Sequence, residues 1–207
     1  MNNPSKKKEE SFNLRMESFI EEFKDPNREK KSELVITVDG PSGSGKGTLA
    51  KQIKEMLDIK HFSASDIFYQ VCEERGWTEN ELSQKAEKEV DLEIDQETLA
   101  RGLNQDCVIE GRIPGWVLGT YADLRIYLGA EPGERYTRIA ERENTTVPEA
   151  KQKTQKRDED NQKRYQKYYS IDTSNLEHYD LIIDNTDLEP HEQIKLVEKA
   201  VDKRDII

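Results

Sequence analysis

The sequence predicts a three-layer α/β fold, a central parallel sheet with helices on both faces. Three observations lead there. Short apolar runs rich in Val and Ile alternate along the chain with segments of helical periodicity, the pattern of a parallel sheet. One run, Leu34-Val35-Ile36-Thr37-Val38, leads into the glycine-rich stretch Gly40-Pro41-Ser42-Gly43-Ser44-Gly45-Lys46-Gly47-Thr48. Leu49, Ile53, Met56 and Leu57 then follow at helical spacing, so the glycine turn opens a helix.

Strand, glycine turn and helix in that order build an anion cradle, a P-loop. Backbone N–H groups line the turn, and the positive end of the helix dipole faces the same spot. Lys46 adds a full charge within reach of a terminal phosphate, and Thr48 a hydroxyl for a magnesium ion. The hydroxyl comes one residue later than in the strict pattern, because Gly47 follows Lys46. Small-substrate kinases use that variant too.

The 207 residues suit one α/β domain with an inserted flap. Hydrophobic content is 33% and charged content 36%, so the core is small and several helices carry wide solvated faces. A net charge of −11 argues against a general nucleic-acid or membrane-surface role. A locally basic site for small anions remains compatible with it. Cys72 and Cys107 stand in no metal-ligand spacing and read as buried reduced thiols, consistent with a cytoplasmic protein. No run is long and apolar enough for a signal peptide or a membrane span.

In chain order, residues 1–31 form an extension. Phe12, Met16, Phe19, Ile20 and Phe23 mark one face of an amphipathic helix, read as packing on the body of the domain rather than on a second copy. The domain proper runs over 32–207. After the P-loop helix, Ile59–Phe62 is a short strand, and Ser65 or Asp66 can cap the next helix. Further helices are expected from about Thr78 to Val90 and from about Ile94 to Leu103, the latter ended by Gly102. These polar helices read as a substrate-binding flap over about 63–104. Strands follow at Asp106–Glu110, Leu124–Leu128 and Tyr179–Ile183. Pro132 and Pro190 each open a helix.

Transfer of a phosphoryl group onto another phosphate needs no general base, only positioning and cations that offset spread negative charge. Arg135, Arg138 and Arg142 recur along one helix, and Arg157 and Arg164 along the charged segment after it. Two arginine stripes flanking one short loop point to a lid over about 142–167 that closes on the P-loop. Arg142, Arg157 and Arg164 are its candidate catalytic cations with Lys46, while Arg135 and Arg138 read as surface or salt-bridge residues. Glu110 closes a buried strand, where it can hold the water shell of Mg²⁺ beside Thr48; a backbone-bonded strand end is the other reading. Arg112 follows a glycine at the same sheet edge and suits bidentate contact with a phosphate. His61, His178 and His191 have no partner spacing.

The ordered set of motifs resembles the cytidylate kinases among the nucleoside monophosphate kinases. Asp39-Gly-Pro-Ser-Gly-Ser-Gly-Lys-Gly-Thr-Leu-Ala50 is similar to the bacterial branch. Phe62-Ser-Ala-Ser-Asp-Ile-Phe68, Ile109-Glu-Gly-Arg-Ile-Pro-Gly-Trp116, Ala122–Leu128, Arg138–Glu143, Arg164–Asp172 and Tyr179–Ile183 are similar to the archaeal-type branch. The resemblance covers 34 to about 203 and implies the nucleoside monophosphate kinase fold, with an acceptor-binding flap and a lid. It implies ATP as donor, Mg²⁺ as cofactor and CMP or dCMP as acceptor. Residues 40–48 would hold the ATP phosphates. Arg112, with Ser65, Asp66 and Gly115, would form the acceptor side, and Arg142, Arg157 and Arg164 would close around the transferring group. Small nucleotides are then the partners, with no nucleic acid or membrane, and a monomer is expected. Two positions depart from the family: Tyr69 stands where an acceptor-gripping arginine is usual, and Asn161 where the bacterial branch has an aspartate. A kinase for another monophosphate or a small alcohol, with Asp66 as base, is the competing enzyme reading. A non-catalytic P-loop assembly factor using the N-terminal helix is the competing reading of another class.

Overall fold

The structure, a computed structural model, describes residues 28–74, 76 and 87–204 together with residues 19 and 21, leaving aside the side chains of 71, 72 and 87–89. Five strands form one sheet: β1 (Val35–Asp39), β2 (Lys60–Ser63), β3 (Cys107–Gly111), β4 (Leu124–Gly129) and β5 (Leu181–Asp184). Their order is β2-β3-β1-β4-β5, and every pairing is parallel. The helices between them are α1 (Lys46–Leu57), α2 (Ala64–Glu74), α3 (Glu87–Asn104), α4 (Pro114–Leu118), α5 (Pro132–Glu143), α6 (Val147–Tyr169) and α7 (Pro190–Lys203).

β1 is buried at all its positions and so needs apolar cover on both faces. Ile36 and Val38 join Leu49 and Ile53 of α1 and Val197 and Val201 of α7 in one cluster. Val35, with Cys107 and Ile109, joins Leu92 and Leu99 of α3, Leu118 of α4 and Tyr165 and Tyr169 of α6 in the other. These two cores are the outer joints of the three layers. Register then sets the site: Asp39 lies opposite Gly111 and Val38 opposite Glu110, so the turn after β1 and the turn after β3 leave the sheet side by side.

Several expectations need correcting. The helices expected before Val90 and after Ile94 are one continuous helix from Glu87, with nothing between Val90 and Ile94 to break it. The stretch 77–86, where the first of them was to begin, lies outside the described residues. Gly102 does not end α3 but lies within it, where an added Cβ would come 2.3 Å from Leu118 Cδ2. Its smallness lets α3 approach α4. The cap of α2 is Ser63, whose Oγ accepts the N–H groups of Ser65 (3.1 Å) and Asp66 (3.3 Å), rather than Ser65 or Asp66. α6 opens on a capping box formed by Thr146 and Glu149. Of the N-terminal amphipathic segment, Phe19 is buried with its ring edge-on to Tyr169, 6.2 Å between centroids; Phe12, Met16, Ile20 and Phe23 lie outside the described residues. Cys107 is a buried free thiol, pushed up to about 12 mainly by burial, and the Cys72 side chain lies outside the described residues. Among the described residues no helix is long and apolar enough to cross a membrane.

Replacing Gly102 by alanine tests the close approach of α3 to α4. Helix propensity favours alanine by about 1 kcal/mol. The methyl would press on Leu118, which is fully buried, and overpacking costs about 1–3 kcal/mol. The expected outcome of Gly102→Ala is a lower urea midpoint; an unchanged or higher one would contradict this packing.

Candidate functional site

The glycine turn is fixed from three sides. Gly43 and Gly45 adopt φ of 81° and 95°, a region that favours glycine. A Cβ on Gly43 would come 2.7 Å from the Arg135 carbonyl, so α5 lies directly against the turn. From the end of β5, the buried Asn185 donates through Nδ2 to the Ser44 carbonyl, and Gln193 of α7 bonds Asn185 in turn. The Ser44 hydroxyl is buried without a hydrogen-bond partner among the described residues. The opening N–H groups of α1 have no acceptor within the helix. The turn thus offers donors to an anion.

Lys46 donates to the Pro41 carbonyl at 2.9 Å. Burial, with Arg112 adding to it, brings its ammonium down to about 8 against the pull of Glu110, Asp39 and Asp158. Beneath it Asp39 is pushed up to about 8 by burial. The Asp39 carboxyl accepts the Gly115 N–H at 2.9 Å and 3.1 Å and the Tyr179 hydroxyl at 2.9 Å; Tyr179 accepts from Trp116 Nε1 at 3.1 Å. Gly115, expected beside the acceptor, is therefore committed to Asp39, and an added Cβ would come 3.0 Å from Thr37 Oγ1. His178 stacks on Trp116 with 4.0 Å between centroids and contacts the Gly115 carbonyl through Nε2. That histidine serves the scaffold.

A cleft of about 720 Å³ opens above the turn. Ser42, Lys46, Glu110 and Arg112 form its floor; α2 contributes Ser65 and Tyr69, α3 Asp91 and Asp95, α6 Arg157, Asn161 and Arg164. Of the residues expected at the site, Ser65, Arg157 and Arg164 line this cleft. Asp66 is exposed and outside the cleft wall, as is Arg142, whose exposed side chain pairs with Glu143 at 3.1 Å. Thr48 is exposed in the first turn of α1, and Glu110 Oε1 lies 3.6 Å from where a Cβ on Gly47 would be. Tyr69 is 64% exposed at the rim. Arg164 pairs with Asp91 at 3.0 Å and donates to the buried Asn161 Oδ1. Asp95 accepts the Tyr169 hydroxyl at 2.5 Å; burial, with Asp91 adding, holds its carboxyl up at about 8.

Arg135, expected as a surface or salt-bridge residue, does form an ion pair, Nη1 to Asp158 Oδ2 at 3.1 Å, but it is buried rather than on the surface, and the same Nη1 donates to the Ser42 carbonyl at 3.0 Å. Its helix lies on the P-loop, which periodicity alone does not reveal. Arg138, one turn on, donates to Glu134 and to the Asn185 and Thr186 carbonyls. Asp158, missed in the sequence as one charge among many, also accepts Arg112 Nη1 at 2.9 Å, while Arg112 Nη2 reaches Ser42 Oγ at 3.0 Å.

Residues 35–187 match the cytidylate kinase-like family. A protein named cytidylate kinase from Archaeoglobus fulgidus is 40% identical over 176 residues, covering 84% of this chain and 97% of its own length. Another, from Pyrococcus furiosus, is 41% identical over 174 residues, covering 83% and 90%. Among solved structures, an uncharacterised protein from Eubacterium ventriosum superposes with a TM-score of 0.64 at 17% identity, over 82% of this chain and 98% of that one. Shikimate kinase from Bacteroides thetaiotaomicron superposes with a TM-score of 0.54 at 16% identity, over 83% and 98%. These two structural likenesses support the fold alone.

The buried acid in the cleft wall has a pH signature. Because the folded carboxyl of Asp95 lies near 8, the native state keeps a proton that the unfolded chain releases above about pH 4. Its contribution to stability is therefore lost as pH rises toward and through 8. Asp95→Asn cannot ionise and still offers an oxygen to Tyr169. The stability of the variant relative to wild type should rise with pH by on the order of 1 kcal/mol per unit between about pH 5 and 8. Urea denaturation across that range checks it, and a pH-independent difference would contradict it.

Proposed function

The chain belongs to the cytidylate kinase-like family, and from that footing we propose that it transfers the γ-phosphoryl group of ATP to the phosphate of CMP or dCMP. The product is the nucleoside diphosphate. The observation that carries this reading is the convergence of Lys46, Arg112 and Arg135 on one P-loop residue pair, Pro41-Ser42, at the floor of a cleft large enough for a nucleotide.

In the proposed reaction the turn 40–48 binds the donor phosphates through backbone N–H groups and Lys46. Arg112 holds the acceptor phosphate, and Arg157, which lines the same cleft, closes on the transferring group. Its attacking oxygen is already ionised, so no base is required, and the cations offset the charge spread over the transferring group. Thr48 and Glu110 would hold the water shell of Mg²⁺, and the nucleotide phosphates would complete its ligands. The buried Ser44 hydroxyl, without a partner among the described residues, and the glycine cradle fit a bound phosphate chain. Mg²⁺ bound there would supply charge neutralisation on the donor phosphates. Arg142 takes part in this scheme through movement of the 142–167 lid, which would turn it from Glu143 toward the donor. Asp91, Asn161 and Arg164 offer acceptors and donors to a base in the inner cleft. An alcohol acceptor would need a general base, and the position of Asp66 outside the cleft wall speaks against it. A cytoplasmic monomer is the proposed setting.

Purified protein with Mg-ATP and a panel of CMP, dCMP, UMP, AMP and GMP, read by ADP release, tests the assignment. CMP and dCMP should lead. Preference for AMP or UMP would keep the reaction and reject the acceptor; no turnover with any monophosphate would reject the reaction. Lys46→Ala should lose more than about 100-fold in kcat, the range of a lost transition-state charge contact, while keeping a cooperative melt. Near-normal turnover would contradict the role given to Lys46.

A further inference from the structure

Asp158 is a charged group behind the cleft floor, bonded to the cleft-lining Arg112, that the scheme above leaves without a task. It projects from the middle of α6 and divides its two oxygens between two arginines of separate elements, Oδ1 to Arg112 (2.9 Å) and Oδ2 to Arg135 (3.1 Å). Both guanidinium groups are also seated on Ser42, Arg112 on the hydroxyl and Arg135 on the carbonyl. A carboxylate bridging two guanidinium groups beside a P-loop makes the contacts that a phosphate oxygen pair would make there.

The two arginines differ in freedom. Arg135 is 9% exposed at its side chain and tied to backbone, whereas Arg112 is 21% exposed and lines the cleft. Arg112 gives one N–H of Nη1 to Asp158 and one N–H of Nη2 to the Ser42 hydroxyl, so a phosphate that engages the guanidinium edge turned to the P-loop takes the place of Asp158 and of that hydroxyl, three further N–H groups being left to strengthen its hold. A carboxylate paired with Arg112 alone could not let go without leaving a partly buried charge unpaired, which is costly. Arg135 removes that obstacle, because it keeps Oδ2 bonded, and Lys46 lies close enough to feel the Asp158 charge.

Resting on the reading of this cleft as a phosphoryl-transfer site, we propose that Asp158 is a positioning residue that acts as the resident anion of Arg112. It holds the guanidinium beside the P-loop, yields it to the acceptor phosphate, and takes it back as product leaves. Arg135 is the fixed partner that makes the exchange reversible. A merely structural ion pair would make the opposite prediction, since removing it would loosen Arg112 and weaken phosphate binding.

The test uses the full chain and its Asp158→Asn variant, with inorganic phosphate as a competitor of CMP. Removing the internal competitor should lower both the phosphate inhibition constant and KM for CMP by about ten-fold, the scale of one charge-assisted hydrogen bond. The kcat should fall, because the product is no longer displaced. Asp158→Glu, which keeps the charge, should stay near wild type in phosphate inhibition. A phosphate inhibition constant that rises or does not move in Asp158→Asn overturns the exchange while leaving phosphoryl transfer intact. A wild type that transfers to no monophosphate overturns both. If Asp158→Asn does not fold, Arg135→Gln decides: Asp158 then grips Arg112 alone, and the phosphate inhibition constant should rise about ten-fold; no change overturns the proposal.

Discussion

Three cations share the space around Pro41 and Ser42: Lys46, Arg112 and Arg135, each bonded to this short stretch of chain. Like charges so close repel, and the effect is visible in Lys46, which Arg112 helps to hold down at about 8. The fold answers with carboxylates brought from different elements, Asp158 from α6, Glu110 from β3 and Asp39 from β1, all of which act on Lys46 in the stabilising sense. Much of the architecture follows from placing these groups. α5 has to lie against Gly43 for Arg135 to arrive, and α6 has to bring Asp158 to the two arginines for it to bridge them.

The parallel sheet makes that assembly possible. With β1 central and β3 beside it, two turns leave the same edge in register, one rich in N–H donors and one bearing Glu110 and Arg112. β5 closes the arrangement from the far side through Asn185, which holds the Ser44 carbonyl and is itself held by Gln193. The Asp39–Tyr179–Trp116 chain ties the P-loop strand to α4 and to the segment before β5. Buried polar networks of this kind rigidify a site when each member is satisfied, and this one holds the P-loop strand in place.

The sheet and the P-loop were legible in the sequence because β-branched runs and a glycine-lysine-threonine pattern are local signals. The family resemblance carried by the ordered motifs agrees with the match over residues 35–187. What stayed hidden depends on packing between distant segments. Arg135 and Arg142 belong to one stripe, yet one is buried on the P-loop and the other is solvated, because α5 meets Gly43 through Arg135 and Ile139 and has passed it by Arg142. Gly102 reads as a helix stop until Leu118 is seen against it. Asp158 stands in a run so rich in charge that no single carboxylate stands out, and its two arginine partners lie 46 and 23 residues away.

The central claim is that the cations at Ser42 serve transfer between two phosphates rather than hydrolysis or simple nucleotide binding. Phosphorus NMR of the purified chain with Mg-ATP and CMP tests it most directly. The account predicts that the terminal-phosphate doublet of CDP grows in step with that of ADP, with no matching rise of inorganic phosphate. ADP accompanied by inorganic phosphate alone, or a spectrum that does not change with time, would contradict it.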